Sequence, residues 1–123
     1  MVPAIQDVID NNLILNQITV DFQHFGLKER YSNQVEVTIY RIFQELSNNV
    51  VKHARAKHVD IQLMENGGKL ILIVEDDGIG IGESQNSGIG LNNIYSRLLS
   101  IDGNVDFSSG EDSGTVVTMV IPL

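Results

Sequence analysis

Four side chains between positions 45 and 53 bring together an acid, an amide, an amine and an imidazole: Glu45, Asn49, Lys52 and His53. Their offsets of four, three and one put them on one side of a helix, because about 3.6 residues make a turn. An amide oxygen suits a hard cation such as Mg²⁺. An amine and an imidazole neutralise phosphate oxygens, and a carboxylate can orient an attacking group or take its proton. Together the four read as the floor of a nucleotide-phosphate site. On its own such a run more often means a solvated helix face, so its meaning depends on what else the chain supplies.

Two glycine-rich turns supply it. Asp77-Gly78-Ile79-Gly80 follows an apolar run, and Ser87-Gly88-Ile89-Gly90 opens a helical pattern. Glycine lets a backbone approach a ligand closely, and a helix start offers free N–H donors. The phosphate-loop pattern ending in Gly-Lys-Ser/Thr is absent, as is a strand–turn–helix unit with three spaced glycines. Within Glu75-Asp76-Asp77, Asp77 is expected to be the site residue, accepting from the exocyclic amine of a base. Asp76 is expected to be exposed, and Glu75 to alternate onto one sheet face. The phosphates would then lie between the long helix and the helix beginning at Gly90. The 80–90 segment is a candidate lid.

The elements that must position these groups follow from periodicity. Ile5, Val8, Ile9 and Leu13 recur at helical spacing, and Pro3 suits a first turn, so residues 3–13 read as a short amphipathic helix. From Gln17 the pattern alternates, with Ile18, Val20, Phe22 and His24 opposite Thr19, Asp21 and Gln23, which is a strand. His24 reads as a packed or edge residue. Ser32 or Asn33 can cap a long helix whose apolar stripe is Val35, Ile39, Ile42, Phe43, Leu46, Val50 and Ala54. The Glu45–His53 row borders that stripe instead of lying opposite it, where helix meets sheet and a cleft can open. Residues 59–65 and 69–75 read as a hairpin about Asn66-Gly67-Gly68. Leu70-Ile71-Leu72-Ile73-Val74, apolar on both faces, reads as a central strand covered on both sides or nearly so. Leu91, Ile94, Leu98 and Ile101 predict a helix stopped by Gly103, and strands over 105–108 and 115–121 close the chain.

Composition bounds the partners. At 123 residues the chain fits one domain with one core, and 42% hydrophobic and 20% charged residues are ordinary for a globular protein. A net charge of −8 argues against gripping a nucleic-acid backbone, but not against a nucleotide that arrives with magnesium. The absence of cysteine excludes disulfides and thiolate metal sites. No apolar run reaches the roughly 18 residues of a membrane span, and no signal pattern opens the chain. A cytoplasmic location without membrane contact is expected, within a parent protein that could itself be membrane-anchored.

Glu45-x-x-x-Asn49-x-x-Lys52-His53 resembles the N-box of sensor histidine kinases. Asp-Asp-Gly-Ile-Gly over 76–80 resembles their first glycine box, and Gly88-x-Gly90-Leu91 the second. Gly114-Thr115 before an apolar strand is similar to the last motif, whose threonine lies near the adenine. Order and spacing match roughly from Ile18 to Leu123. The resemblance implies the Bergerat ATP-binding fold shared by histidine kinases, gyrase, heat-shock chaperone and mismatch-repair ATPases. That fold is α+β, a two-layer α/β sandwich with a mixed sheet of about five strands and three helices on one face. The cofactors it implies are ATP and Mg²⁺. Asn49 would be the magnesium ligand and Glu45 the base or a magnesium-network residue. Asp77 would anchor adenine, and Lys52 and His53 would contact phosphate. Gly78, Gly80, Gly88, Gly90, Leu91 and Thr115 would complete the nucleotide site. The seven residues between Gly80 and Gly88 leave no room for the family's phenylalanine-bearing box and fit a short lid.

Histidine kinases phosphorylate a histidine on a dimeric helical hairpin. His24, His53 and His58 do not sit mid-helix beside an acid, as such an acceptor would. Residues 1–123 are therefore expected to form the catalytic, ATP-binding domain without its dimerisation domain. The domain would pass the γ-phosphoryl group to a histidine on that partner, and indirectly to a response regulator receiver domain. A free-standing serine kinase of the anti-sigma type is the alternative. A degenerate domain used only for docking is a third reading.

Overall fold

The computed structural model describes residues 1–54, 56–78, 89–109 and 114–123, giving the backbone alone at 53, 54, 89–93 and 109. Five strands, β1 (Thr19–Phe25), β2 (His58–Asn66), β3 (Lys69–Asp76), β4 (Asn104–Ser109) and β5 (Thr115–Pro122), form one sheet in the order β1-β2-β3-β5-β4. β1 and β2 are parallel, and the other pairs are antiparallel. A parallel pair needs a crossover, and α2 (Asn33–Asn49) supplies it. The tight connection between β2 and β3 turns on Gly67 and Gly68, both at positive φ (60° and 75°), which glycine adopts without a Cβ clash.

One sheet face is dry. Val59, Ile61 and Leu63 of β2, Leu70, Leu72 and Val74 of β3, and Val117, Met119 and Ile121 of β5 are all at most 5% exposed. They share a core with Ile5 and Val8 of α1 (Val2–Val8), Ile39, Ile42, Phe43 and Leu46 of α2, and Ile94 and Leu98 of α3 (Ile89–Leu99). Alternate residues on the opposite face, such as Ile71, Ile73, Val116 and Val120, are only half-buried. The expected two-layer α+β sandwich is thus present, with one adjustment. β3 is central, yet among the described residues no second layer covers its other face.

Three local features depart from the sequence-based expectation. The first helix does not stop at Leu13. It widens into a π turn over Ile9–Leu13, tightens into a 3₁₀ turn over Ile14–Asn16, and ends where Gln17 turns left-handed (φ 65°). α2 begins as expected, with the Ser32 hydroxyl accepting from the Val35 N–H at 3.2 Å, but continues past Asn49 into a π turn over Val50–Ala54. Beyond α3 the left-handed residue is Asp102 (φ 56°), not Gly103. Gly103 instead donates its N–H to the Leu98 carbonyl at 2.8 Å. A Cβ there would stand 2.7 Å from Leu98 Cδ2, so close packing is what the position requires.

Candidate functional site

The end of β3 carries the two aspartates the sequence sets side by side, and the structure exchanges their expected environments. Leu70, Leu72, Val74 and Asp76 share a strand face, because side chains alternate with a period of two. The last of this inward row is a carboxylate, so Asp76 is 7% exposed. Its Oδ1 accepts from the Gly78 N–H at 2.9 Å. Burial pushes its carboxyl above the ordinary value. The N–H groups of Gly78 and Thr115 pull it back, and the charges of Asp77 and Glu75 raise it further.

Asp77 points the other way. It is exposed, and its Oδ1 accepts from the N–H groups of Lys57 (2.8 Å) and His58 (3.0 Å). Its own N–H donates to the His58 carbonyl at 3.2 Å. The His58 N–H chiefly, with the Lys57 N–H, holds its carboxyl below the ordinary value. Asp77 is therefore a clip that fastens the start of β2 to the end of β3, and the expectation that Asp76 is the exposed member is corrected. The parity of Leu70, Leu72 and Val74 selects Asp76, but a run apolar on both faces hides which parity is inward.

The last motif falls against Asp76. Thr115 is Asp76's register partner on β5 and is 5% exposed. Gly114 is buried, and a Cβ on it would overlap the Asp76 carbonyl oxygen. Glycine at 114 is what allows β5 to start so close to the end of β3. A buried carboxylate with a buried threonine hydroxyl is an acceptor and a donor on neighbouring strands. That is the set an adenine edge calls for, with its amine hydrogen and its ring nitrogen.

The helix stripe is placed in part. Glu45 and Asn49 are half-buried beside the buried Ile42, Leu46 and Val50, at the border of the core stripe as expected. Asn48, one residue away, is exposed and accepts from the Asn12 side chain at 3.0 Å, which ties α2 to the first helical segment. Lys52 is exposed and lies, with the backbone of His53, in the π turn. Such a turn closes i→i+5 bonds and changes the angular step, so the 3.6-residue spacing assumed for the whole row holds from Glu45 to Asn49 and lapses after it. From this turn the chain runs within a few residues to Lys57 and His58, whose N–H groups Asp77 holds. The backbone of Gly90 and Leu91 lies in the first turn of α3. Gly80, Gly88 and the 80–88 part of the candidate lid lie outside the described residues.

The model of the family described as histidine kinase-, DNA gyrase B-, and HSP90-like ATPase matches residues 34–123. The chain is 32% identical over 108 residues to the signal transduction histidine-protein kinase/phosphatase DegS of Brevibacillus brevis, covering 86% of this chain and 28% of that protein. It is 31% identical over 98 residues to the oxygen sensor histidine kinase NreB of Staphylococcus carnosus, covering 77% of this chain and 28% of that one. The chain thus spans little more than a quarter of the length of either relative. Among solved structures, the catalytic domain of histidine kinase ThkA superposes with a TM-score of 0.79 at 18% identity, over 98% of this chain and 90% of that one. The blue-light activated histidine kinase of Erythrobacter litoralis gives 0.81 at 22% identity, over 96% of this chain and 43% of that one. At such identities the structural likeness establishes the fold.

Proposed function

The chain belongs to the histidine kinase-, DNA gyrase B-, and HSP90-like ATPase family, and from that premise we propose that it binds Mg-ATP and donates the γ-phosphoryl group to a histidine on a separate dimerisation domain, in two-component signalling. The observation that carries the reading is the buried Asp76 carboxylate beside Thr115, beneath a glycine that no other residue can replace without displacing the Asp76 backbone. A carboxylate held in the dry end of a sheet costs stability even with backbone N–H partners, and such perturbed groups cluster at functional sites.

In this reading Asp76, not Asp77, accepts from the adenine amine, with Thr115 beside it and Gly78 fixing the carboxylate. Asn49 offers its amide oxygen to magnesium, and Glu45, one turn earlier on the same side of α2, orients the reacting groups. Lys52 and His53 are the proposed phosphate contacts, together with the N–H donors of the first turn of α3, which includes Gly90. Gly80 and Gly88 retain their proposed place in the lid. Bound magnesium would supply charge neutralisation of the phosphates.

The acceptor lies on another segment. His24 and His58 are strand residues and His53 belongs to the turn after α2, so none occupies the middle of a helix. The relatives' names make the histidine acceptor the better-supported one over the serine kinase of the anti-sigma type. The test is to incubate the chain with Mg-ATP labelled at the γ-phosphate and a separately supplied histidine-bearing dimerisation domain. Acid-labile label on that domain is the expected result. Acid-stable label on serine, or intact ATP binding with no transfer to the histidine, overturns the reading.

A further inference from the structure

On the opposite face of the sheet from the core, the parallel register sets Asp21 of β1 directly against Asp60 of β2, and the antiparallel register sets Asp60 against Glu75 of β3. Like charges directly opposite each other in a sheet are destabilising. Yet this row holds three carboxylates on three adjacent strands. Two residues before Asp60, on the same face, His58 turns its Nε2 into the row, 3.0 Å from Asp60 Oδ1 and 3.5 Å from Asp21 Oδ2.

We propose that His58, Asp60 and Asp21 form a binding site for a divalent transition-metal ion of the Zn²⁺ class, separate from the nucleotide site. One ligand atom from each residue lies within 4.8 Å of the other two. A tetrahedral ion about 2.0–2.2 Å from nitrogen and oxygen ligands keeps them about 3.3–3.6 Å apart. Of the two separations from the imidazole, 3.5 Å already lies within that range and 3.0 Å falls just short of it, so small rotations of these solvent-accessible side chains complete it. The charges match as well, since two carboxylates cancel a 2+ ion and the neutral imidazole adds none.

An imidazole nitrogen in the set selects zinc, nickel or copper over magnesium, which prefers all-oxygen ligands. Three protein ligands leave a fourth position to water or to a group from outside the chain. The scaffold is stiff, because all three residues stand on paired strands and Asp77 clasps the N–H of His58 at 3.0 Å. None of the three is among the residues assigned to ATP, so the site stands or falls independently of the proposed function.

The experiment is a calorimetric Zn²⁺ titration of the metal-stripped chain without nucleotide, paired with Co²⁺ absorption as a probe of coordination. The parent chain is expected to take up one equivalent and to show the strong visible bands of a low-symmetry cobalt site. His58→Gln and Asp60→Asn are each expected to weaken binding at least tenfold and to abolish those bands, with Asp21→Asn weakening it less. Unchanged thermal unfolding of Asp21→Asn, at an exposed carboxylate, and of Asp60→Asn, at a half-buried one, confirms that the fold persists. No Zn²⁺ uptake by the parent overturns the proposal, as do variants that bind like the parent or loss of the site in His24→Gln instead.

Discussion

Asp76 and Asp77 are neighbours of identical chemistry in opposite surroundings, and the pH dependence of each follows from them. Asp76 has a raised carboxyl, so folding takes up its proton more readily than the unfolded chain does. It therefore costs stability above its folded value, and that cost is relieved as the pH falls towards the unfolded value. Asp77 has a lowered carboxyl, so its contribution is present above the unfolded value and lost as the pH falls through the folded one. Asp76→Asn is expected to unfold a few degrees higher than the parent near neutral pH, since Asn can still accept from Gly78. It should at the same time weaken ATP about ten- to a hundredfold, the worth of one charged hydrogen bond. Asp77→Ala should do the reverse, keeping affinity in the folded protein while losing about 1 kcal/mol of stability. Calorimetry and thermal unfolding on the two variants check both halves. A loss of ATP binding confined to Asp77→Ala would return the adenine role to Asp77.

At the scale of elements, the proposed site depends on how closely β5 approaches β3. Gly114 admits no Cβ without moving the Asp76 carbonyl, so Gly114→Ala must shift one strand end against the other. Overpacking of this kind costs about 1–3 kcal/mol, and here it also displaces the buried carboxylate. The variant is expected to lose both unfolding temperature and ATP affinity, whereas Gly103→Ala, which presses only on the Leu98 side chain, should lose stability alone. Comparing the two by thermal unfolding and nucleotide titration separates the effects. The π turn after Asn49 is the other feature that belongs to this scale. Helical periodicity read from the sequence supports Glu45 and Asn49 on one face but cannot foresee an inserted residue in the turn. Such an insertion is chosen by how the chain must reach β2 and not by the local pattern.

For the whole molecule, the proposed nucleotide site draws on α2, the end of β3 and the start of β5, so ligand binding should stabilise the fold as a unit. A ligand at a hundred times its dissociation constant adds about 2.7 kcal/mol. Saturating Mg-ATP is therefore expected to raise the unfolding temperature by several degrees. ATP with a chelator should raise it less, and Asn49→Ala should erase that difference. An Asn49→Ala variant that keeps the full magnesium increment would remove Asn49 from the metal's neighbourhood. No described helix is long and apolar enough to cross a membrane.

Much of this was already determined by the chain read in order. The alternation in β1 and β2, the capped stripe of α2, the glycine hairpin and the sequence of motifs sufficed for an α+β ATPase fold, because periodicity and turn chemistry are local properties. Tertiary structure decided which of two adjacent aspartates is buried. A central strand apolar on both faces carries no parity signal, and only the packing of helices against one face creates one. It also decided that Asp21, Asp60 and Glu75 form a row with His58 turned into it. Register between strands distant in sequence is fixed by pairing and core packing, not by any motif the chain displays.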